Sequence, residues 1–124
     1  MVSSDKPRRI LLVDDEQIVR KALQSFLANA GYAVEAVEAG EAALGRLETE
    51  SFDLVVTDNH MPGMTGVQLA SIIKIRWPAL PILMFTGFLP DEPVPCLDRI
   101  LHKPGDLRLL VPSIQELMAA RPRT

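Results

Sequence analysis

Residues 52–66 read FDLVVTDNHMPGMTG, and the fold follows from how this stretch changes character at Asp58. Up to Thr57 it is a short apolar run with two β-branched residues at its centre, the composition of a strand buried on both faces. After Asp58 come polar residues, Pro62, Gly63 and Gly66, which stop a strand and form a turn. The spacing then predicts a helix over 65–77: Thr65 or a neighbour can cap its start, and Val67, Ala70, Ile73 and Trp77 recur as one buried stripe. Pro78 prevents its continuation.

The same alternation extends in both directions. RILLV (9–13) is another buried strand, and Ile18, Val19, Ala22, Leu23, Phe26, Leu27 and Ala30 give the 16–30 segment helical spacing, with Gly31 placed for a C-cap. YAVEAV (32–37) reads as a strand and 41–47 as a helix carrying Ala42, Ala43, Leu44 and Leu47 on one face. PILMFTG (81–87) and RILH (99–102) read as two more strands. Leu107, Leu110, Val111, Ile114, Leu117 and Met118 mark a final helix, in which Pro112 predicts a kink or a restart. Between the last two strands, FLPDEPVPCLD (88–98) holds Pro90, Pro93 and Pro95, which rule out a regular helix beyond one turn near Cys96 to Asp98. The pattern is that of an α/β domain: a doubly wound, five-stranded parallel sheet with helices on both faces and a shortened or irregular fourth helix. Residues 1–8 read as a tail and 9–121 as the domain.

At 124 residues and 48% hydrophobic content, the chain suffices for one packed core. A formal charge of −3 offers no general attraction to nucleic acid or anionic lipid, and the cluster Lys6, Arg8 and Arg9 reads as a solvated tail. Neither direct nucleic-acid binding nor a membrane role is expected. Cys96 is the only cysteine, which excludes an intrachain disulfide and a cysteine-based zinc site and leaves an idle or buried thiol. MVSSDKPRR lacks the apolar core of a secretory signal, and no apolar run reaches the ~18 residues of a membrane span, so a cytoplasmic protein is expected. His60 and His102 are the only histidines and make no persuasive metal site; Trp77 reads as core or lid packing.

The candidate chemistry lies at the tails of the strands. Asp14 and Asp15 follow ILLV, Asp58 follows LVVT, Thr86 follows ILMF, and Lys103 comes just past RIL. In an open parallel sheet these ends meet at one edge, where such folds place ligands. Adjacent carboxylates repel unless a cation neutralises them, and a hard divalent ion such as Mg2+ is the usual partner for oxygen ligands. The cleft suits a divalent cation and a phosphoryl group.

The acidic pair, the DxxMPxxxG run from Asp58 to Gly66, the Thr86-Gly87 pair and the Lys103-Pro104 pair occur in the order found in the receiver domain of two-component response regulators. The chain resembles that family over essentially its whole length. The resemblance implies a flavodoxin-like (βα)5 sheet of order 2-1-3-4-5 and a phosphoacceptor signalling module rather than an enzyme acting on a separate substrate. It implies Mg2+-dependent transfer of a phosphoryl group to Asp58 from a phosphohistidine of a sensor histidine kinase or phosphotransfer protein, which changes interaction with a downstream protein. By the same resemblance, Asp15 binds Mg2+ directly, Asp14 mainly through water, and the His60 carbonyl completes the ligands with Asp58. Lys103 pairs with Asp58 and then holds a phosphoryl oxygen, Thr86 donates to another, and His60 and Phe88 border the group and tune its lifetime.

The chain departs from the family in three places. Ile100 stands where receivers have a switching aromatic, Gly105 stands where an aromatic is common, and the Thr86-to-Lys103 interval is short and proline-rich. These departures make dimerisation through the usual fourth-helix face doubtful while leaving the cleft complete. An alternative is a pseudo-receiver acting only as an interaction module, against which the retained Asp14, Asp15, Asp58, Thr86 and Lys103 count. An aspartyl-phosphate phosphatase would want an acid where His60 stands, and a dinucleotide enzyme would want GxGxxG where Asp14-Asp15-Glu16 stands.

Overall fold

In a computed structural model that describes residues 6–120, the elements run β1 (Arg9–Val13), α1 (Gln17–Asn29), β2 (Ala33–Val37), α2 (Gly40–Thr49), β3 (Leu54–Thr57), α3 (Gly66–Arg76), β4 (Ile82–Thr86), β5 (Arg99–His102) and α4 (Leu107–Ala120). All strand pairs are parallel, in the order β2-β1-β3-β4-β5. The three central strands read as continuous apolar runs because helices cover both their faces: Ile10 to Val13, Leu54 to Thr57 and Ile82 to Thr86 are buried throughout.

Alternation within the strands divides the core in two. Ile10, Leu12, Val56, Leu83 and Phe85 meet Leu23 and Leu27 of α1 and Leu110, Ile114 and Met118 of α4. On the opposite face, Leu11, Val13, Val55 and Ile82 meet Ala43 and Leu47 of α2 and Leu69, Ala70 and Ile73 of α3.

Helix faces differ from their periodicity in detail. The inward stripe of α3 is Gly66, Leu69, Ala70 and Ile73, with Val67 and Trp77 only half-buried, because the helix is apolar on more than one side and tertiary packing chooses the face. Ile18, expected on the inner face of α1, is 85% exposed. Thr65 caps α3 as expected, within a full capping box: its hydroxyl accepts from the Gln68 N–H at 3.1 Å and the Gln68 side chain accepts from the Thr65 N–H at 2.9 Å. Pro112 does not restart the last helix, which runs unbroken from Leu107 to Ala120. The proline is exposed, so the Arg108 carbonyl that loses its helical donor is on the solvent side and the helix tolerates the loss.

The crossover from β4 to β5 contains no helix. Its only regular feature is one turn closed by the Leu97 N–H on the Val94 carbonyl at 3.0 Å. Asp98 anchors its far end, accepting from the Ile82 N–H and from Lys74 Nζ, each at 2.8 Å. Cys96 is half-buried against the α2/α3 core.

In its charge, Arg9 departs from the reading of Lys6, Arg8 and Arg9 as a solvated cluster. It is the first residue of β1, and its guanidinium donates to the Ser51 carbonyl at 2.8 Å and to Glu50 at 2.6 Å while lying 4.4 Å from the centre of the Phe52 ring. A delocalised planar cation can meet a carbonyl, a carboxylate and an aromatic face at once. The hydrogen bond from Arg9 holds the Glu50 carboxyl below its usual range. Residues 1–5 and 121–124, including the end of the expected 9–121 domain, lie outside the described residues.

Candidate functional site

Parallel register carries the strand tails to one edge. Asp14 follows β1, Asp58 follows β3, Thr86 ends β4 and Lys103 follows β5, and these four strands are neighbours in that order. Asp14 is 1% exposed, Asp58 6% and Thr86 0%.

Lys103 links the two buried acids. Its Nζ lies 2.7 Å from Asp14 Oδ2 and 3.3 Å from Asp58 Oδ2, so the closer partner is Asp14 rather than Asp58. Burial works to lower the Lys103 pKa, but the hydrogen bond and charge of Asp14, followed by the charge and hydrogen bond of Asp58, outweigh it and hold the ammonium above the usual lysine value. The Lys103-Pro104 peptide is cis.

The remaining oxygens are held by backbone. Asp14 Oδ1 accepts from the Glu16 N–H at 3.0 Å, and Asp58 Oδ1 accepts from the Asn59 N–H at 2.7 Å. Carboxylate oxygens of Asp14, Glu16 and Asp58 lie within 4.8 Å of one another, a spacing one cation can bridge. Asp15 stands outside this group, with Oδ1 buried and lacking a partner among the described residues. Three converging carboxylates opposed by one ammonium leave excess negative charge, and the donor set is all oxygen, which fits a hard divalent ion. An orphaned buried oxygen beside the group points the same way, because such atoms ordinarily find a partner.

The turn after Asp58 explains the spacing of its motif. Gly63 has φ 78°, the left-handed region that favours glycine. Gly66 opens α3 against the turn: a Cβ there would lie 2.1 Å from the Asp58 carbonyl oxygen, and its N–H donates to the Asn59 carbonyl at 3.0 Å. The last glycine of the run therefore sets how closely α3 approaches Asp58.

The other expected residues surround this centre. Thr86 Oγ1 accepts from the Phe88 N–H at 3.0 Å, while its own proton reaches only a 3.5 Å contact with the Phe88 carbonyl. His60 is exposed, and its ring packs on Phe88 with centroids 4.6 Å apart. Ile100 is half-buried in β5, paired in register with Met84. His102 is exposed and away from the acids, its N–H donating to Asp106 at 2.9 Å.

Sequence reasoning missed two residues. Periodicity makes Glu16 only the start of a helix, although it is the third acid of an unbroken Asp14-Asp15-Glu16 run. Asn59 was passed over as a turn residue; its Oδ1 accepts from the Val67 N–H and its Nδ2 donates to the Phe88 carbonyl, both at 3.3 Å. An Asn beside a motif Asp, with a side chain able to bond in two directions, was the available signal.

Comparison with known proteins agrees with this arrangement. A family model described as the response regulator receiver domain matches residues 10–115. The chain is 38% identical over 118 residues to the response regulator receiver protein CpdR of Brucella abortus, covering 91% of this chain and 98% of that one. It is 44% identical over 80 residues to the response regulator protein FleR of Pseudomonas aeruginosa, covering 64% of this chain but only 17% of that protein. Among solved structures it is similar to the response regulator TrrA of Thermotoga maritima in complex with Mg2+-BeF, at 30% identity and a TM-score of 0.83, covering 89% of this chain and 98% of that one. TrrA in complex with the histidine kinase ThkA superposes comparably, at 29% identity and a TM-score of 0.82, covering 89% and 97%.

Proposed function

We propose, from the premise that this chain belongs to the response regulator receiver domain family, that Asp58 is the phosphoacceptor of the receiver and that residues 9–121 form its functional unit. The observation that carries the assignment is the position of Asp58: buried at the sheet edge, 3.3 Å from Lys103 and close enough to Asp14 and Glu16 for one ion to reach all three.

An Asp58 carboxylate oxygen attacks phosphorus, the bond from phosphorus to the donor breaks, and an aspartyl phosphate forms. The donor is a phosphohistidine of a histidine kinase or phosphotransfer protein, in keeping with the kinase complex of TrrA. Transfer of this kind depends on positioning and charge neutralisation more than on an acid or base. Lys103 turns toward a phosphoryl oxygen while remaining close to Asp14, and Thr86 redirects its loosely held proton to another. Asp14, Asp58 and either Asp15 or Glu16, together with the His60 carbonyl, would hold Mg2+, which would supply the further positive charge that the phosphoryl oxygens need. His60 and Phe88, whose rings pack on each other, tune access of water to the product, and Ile100 leaves Thr86 without the aromatic partner usual in the family. The module works in the cytoplasm, has no catalytic activity beyond its own phosphorylation and dephosphorylation, and acts through a downstream protein rather than on nucleic acid.

Incubation with acetyl phosphate or beryllofluoride, read by intact mass or amide NMR, tests the assignment. A Mg2+-dependent response that Asp58→Ala abolishes is expected. A response independent of Mg2+, or unchanged in Asp58→Ala, would overturn it.

A further inference from the structure

The open β4–β5 crossover exposes a groove along the outer side of α3, and no ion pair among the described residues involves the acids lining it. One part, of about 680 Å3, lies between Val67 and Ser71 of α3 and the segment from Pro90 to Cys96. A second, of about 530 Å3, shares Val67 and Ser71 and extends past Met64 and Ile72 toward Glu41. Val67 and Ser71, four residues apart on one row of α3, line both parts and join them into one groove. A crossover helix after β4 would ordinarily pack beside α3 on this side of the sheet; the proline-rich segment does not fill that space.

The groove's charge is of one sign. Asp91, Glu92 and Glu41 line it, no Lys, Arg or His does, and all three acids are exposed. Between them lie Val67, Val94, Met64 and Ile72. An apolar floor with an unneutralised acidic rim complements an amphipathic helix that presents aliphatic side chains flanked by Lys or Arg.

The two walls are joined next to the phosphoacceptor. Asn59 takes the Val67 N–H of α3 on its Oδ1 and the Phe88 carbonyl of the crossover on its Nδ2. The Phe88 N–H meanwhile rests on Thr86 Oγ1. A single residue at the head of the crossover, Phe88, is thus held through its carbonyl by the residue after Asp58 and through its N–H by Thr86.

We infer that this groove is the output surface of the domain, that it receives a basic amphipathic helix of a partner protein, and that the Asn59–Phe88–Thr86 linkage couples its geometry to the state of Asp58. The coupling rests on the phosphoacceptor assignment above; the groove's preference for a basic helix does not. When Thr86 turns to a phosphoryl oxygen, it releases the Phe88 N–H, and the crossover wall shifts against α3. This path needs no aromatic at Ile100.

Titration of the 15N-labelled protein with a helical peptide of leucine and lysine, with and without Mg2+ and beryllofluoride, tests the inference. Shifts should concentrate at Val67, Ser71, Val94 and Cys96, a leucine–glutamate peptide should not bind, and Asp91→Lys with Glu92→Lys should weaken binding by about tenfold. Beryllofluoride should change the peptide's affinity in the wild type but not in Asn59→Ala, whose Asp58 still responds to the mimic because the Asn59 backbone N–H is retained. Shifts on another face, binding indifferent to the charge reversals, or occupation of the groove by a second copy of the chain would overturn the docking surface. An affinity change that persists in Asn59→Ala would overturn the linkage. Failure of beryllofluoride to reach Asp58 at all would instead overturn the phosphoacceptor assignment and the coupling with it, leaving the peptide titration to decide the groove.

Discussion

The acidic cleft and the β4–β5 crossover, whose head leaves the sheet at Thr86 on the same edge, are built in opposite ways. In the cleft, Asp14 and Asp58 are almost wholly buried, held by Lys103 and by backbone N–H groups, and packed against a helix start that admits no side chain at Gly66. In the crossover, Phe88 and Leu89 are 62% and 50% exposed, Asp91 and Glu92 are in no ion pair among the described residues, and only one turn is closed by a backbone hydrogen bond. The difference teaches that chemistry and communication make different demands. Phosphoryl transfer needs fixed atoms, whereas a surface that responds to it needs a segment with little holding it in one place.

The largest expected effect comes from removing the reacting group. Asp58→Asn should abolish the Mg2+-dependent mass increase with acetyl phosphate while the far-UV circular dichroism is preserved; any residual increase mapped to another residue would locate the chemistry elsewhere in the cleft. Next, Gly66→Ala should destabilise by about 3 kcal/mol in urea unfolding, because its Cβ meets backbone that cannot yield as a side chain would. A loss well below that would show α3 to be less firmly seated than the cleft requires.

Lys103→Met should cost about 2 kcal/mol in Mg2+-free buffer by leaving two buried carboxylates without the cation between them, and added Mg2+ should recover part of it. The pH dependence has a definite sign. Because the folded protein holds the Lys103 pKa above its unfolded value, the stabilisation is full below the ordinary lysine pKa, and it is lost as pH rises through the raised value. Alkaline melts of wild type should therefore fall more steeply than those of Lys103→Met. The smallest effect belongs to the crossover: Pro93→Ala, at an exposed position, should change stability by less than about 0.5 kcal/mol, a control that a large loss would upset.

How much was legible in the sequence follows the same division. Strand β1 coincides with RILLV because a strand buried by helices must be apolar almost residue by residue, and that pattern is local; β5 coincides with RILH although, at the sheet's edge, only Leu101 is buried. The strand-end residues were legible for a related reason, since the order of parallel strands carries sequence position directly into space. What periodicity did not give was the choice of face on α3, where apolar residues surround the helix, or the exposure of Ile18 on α1. Those depend on which neighbours arrive. Nor could spacing show that Lys103 lies closer to Asp14 than to Asp58, that Glu16 rather than Asp15 shares the ion-sized cluster, or that the Arg9 side chain reaches Phe52 and Glu50, because each is a contact between distant segments.

The contact between Lys103 and Asp14 joins residues 89 positions apart. Charge balance in the cleft is therefore a property of the finished chain: a polypeptide synthesised only as far as Gly87 already holds every carboxylate of the site and the threonine beside them, but not the ammonium that lets the two buried acids sit together. The cleft becomes competent only when the last strand is laid down, so it registers completion of the fold before it registers any signal.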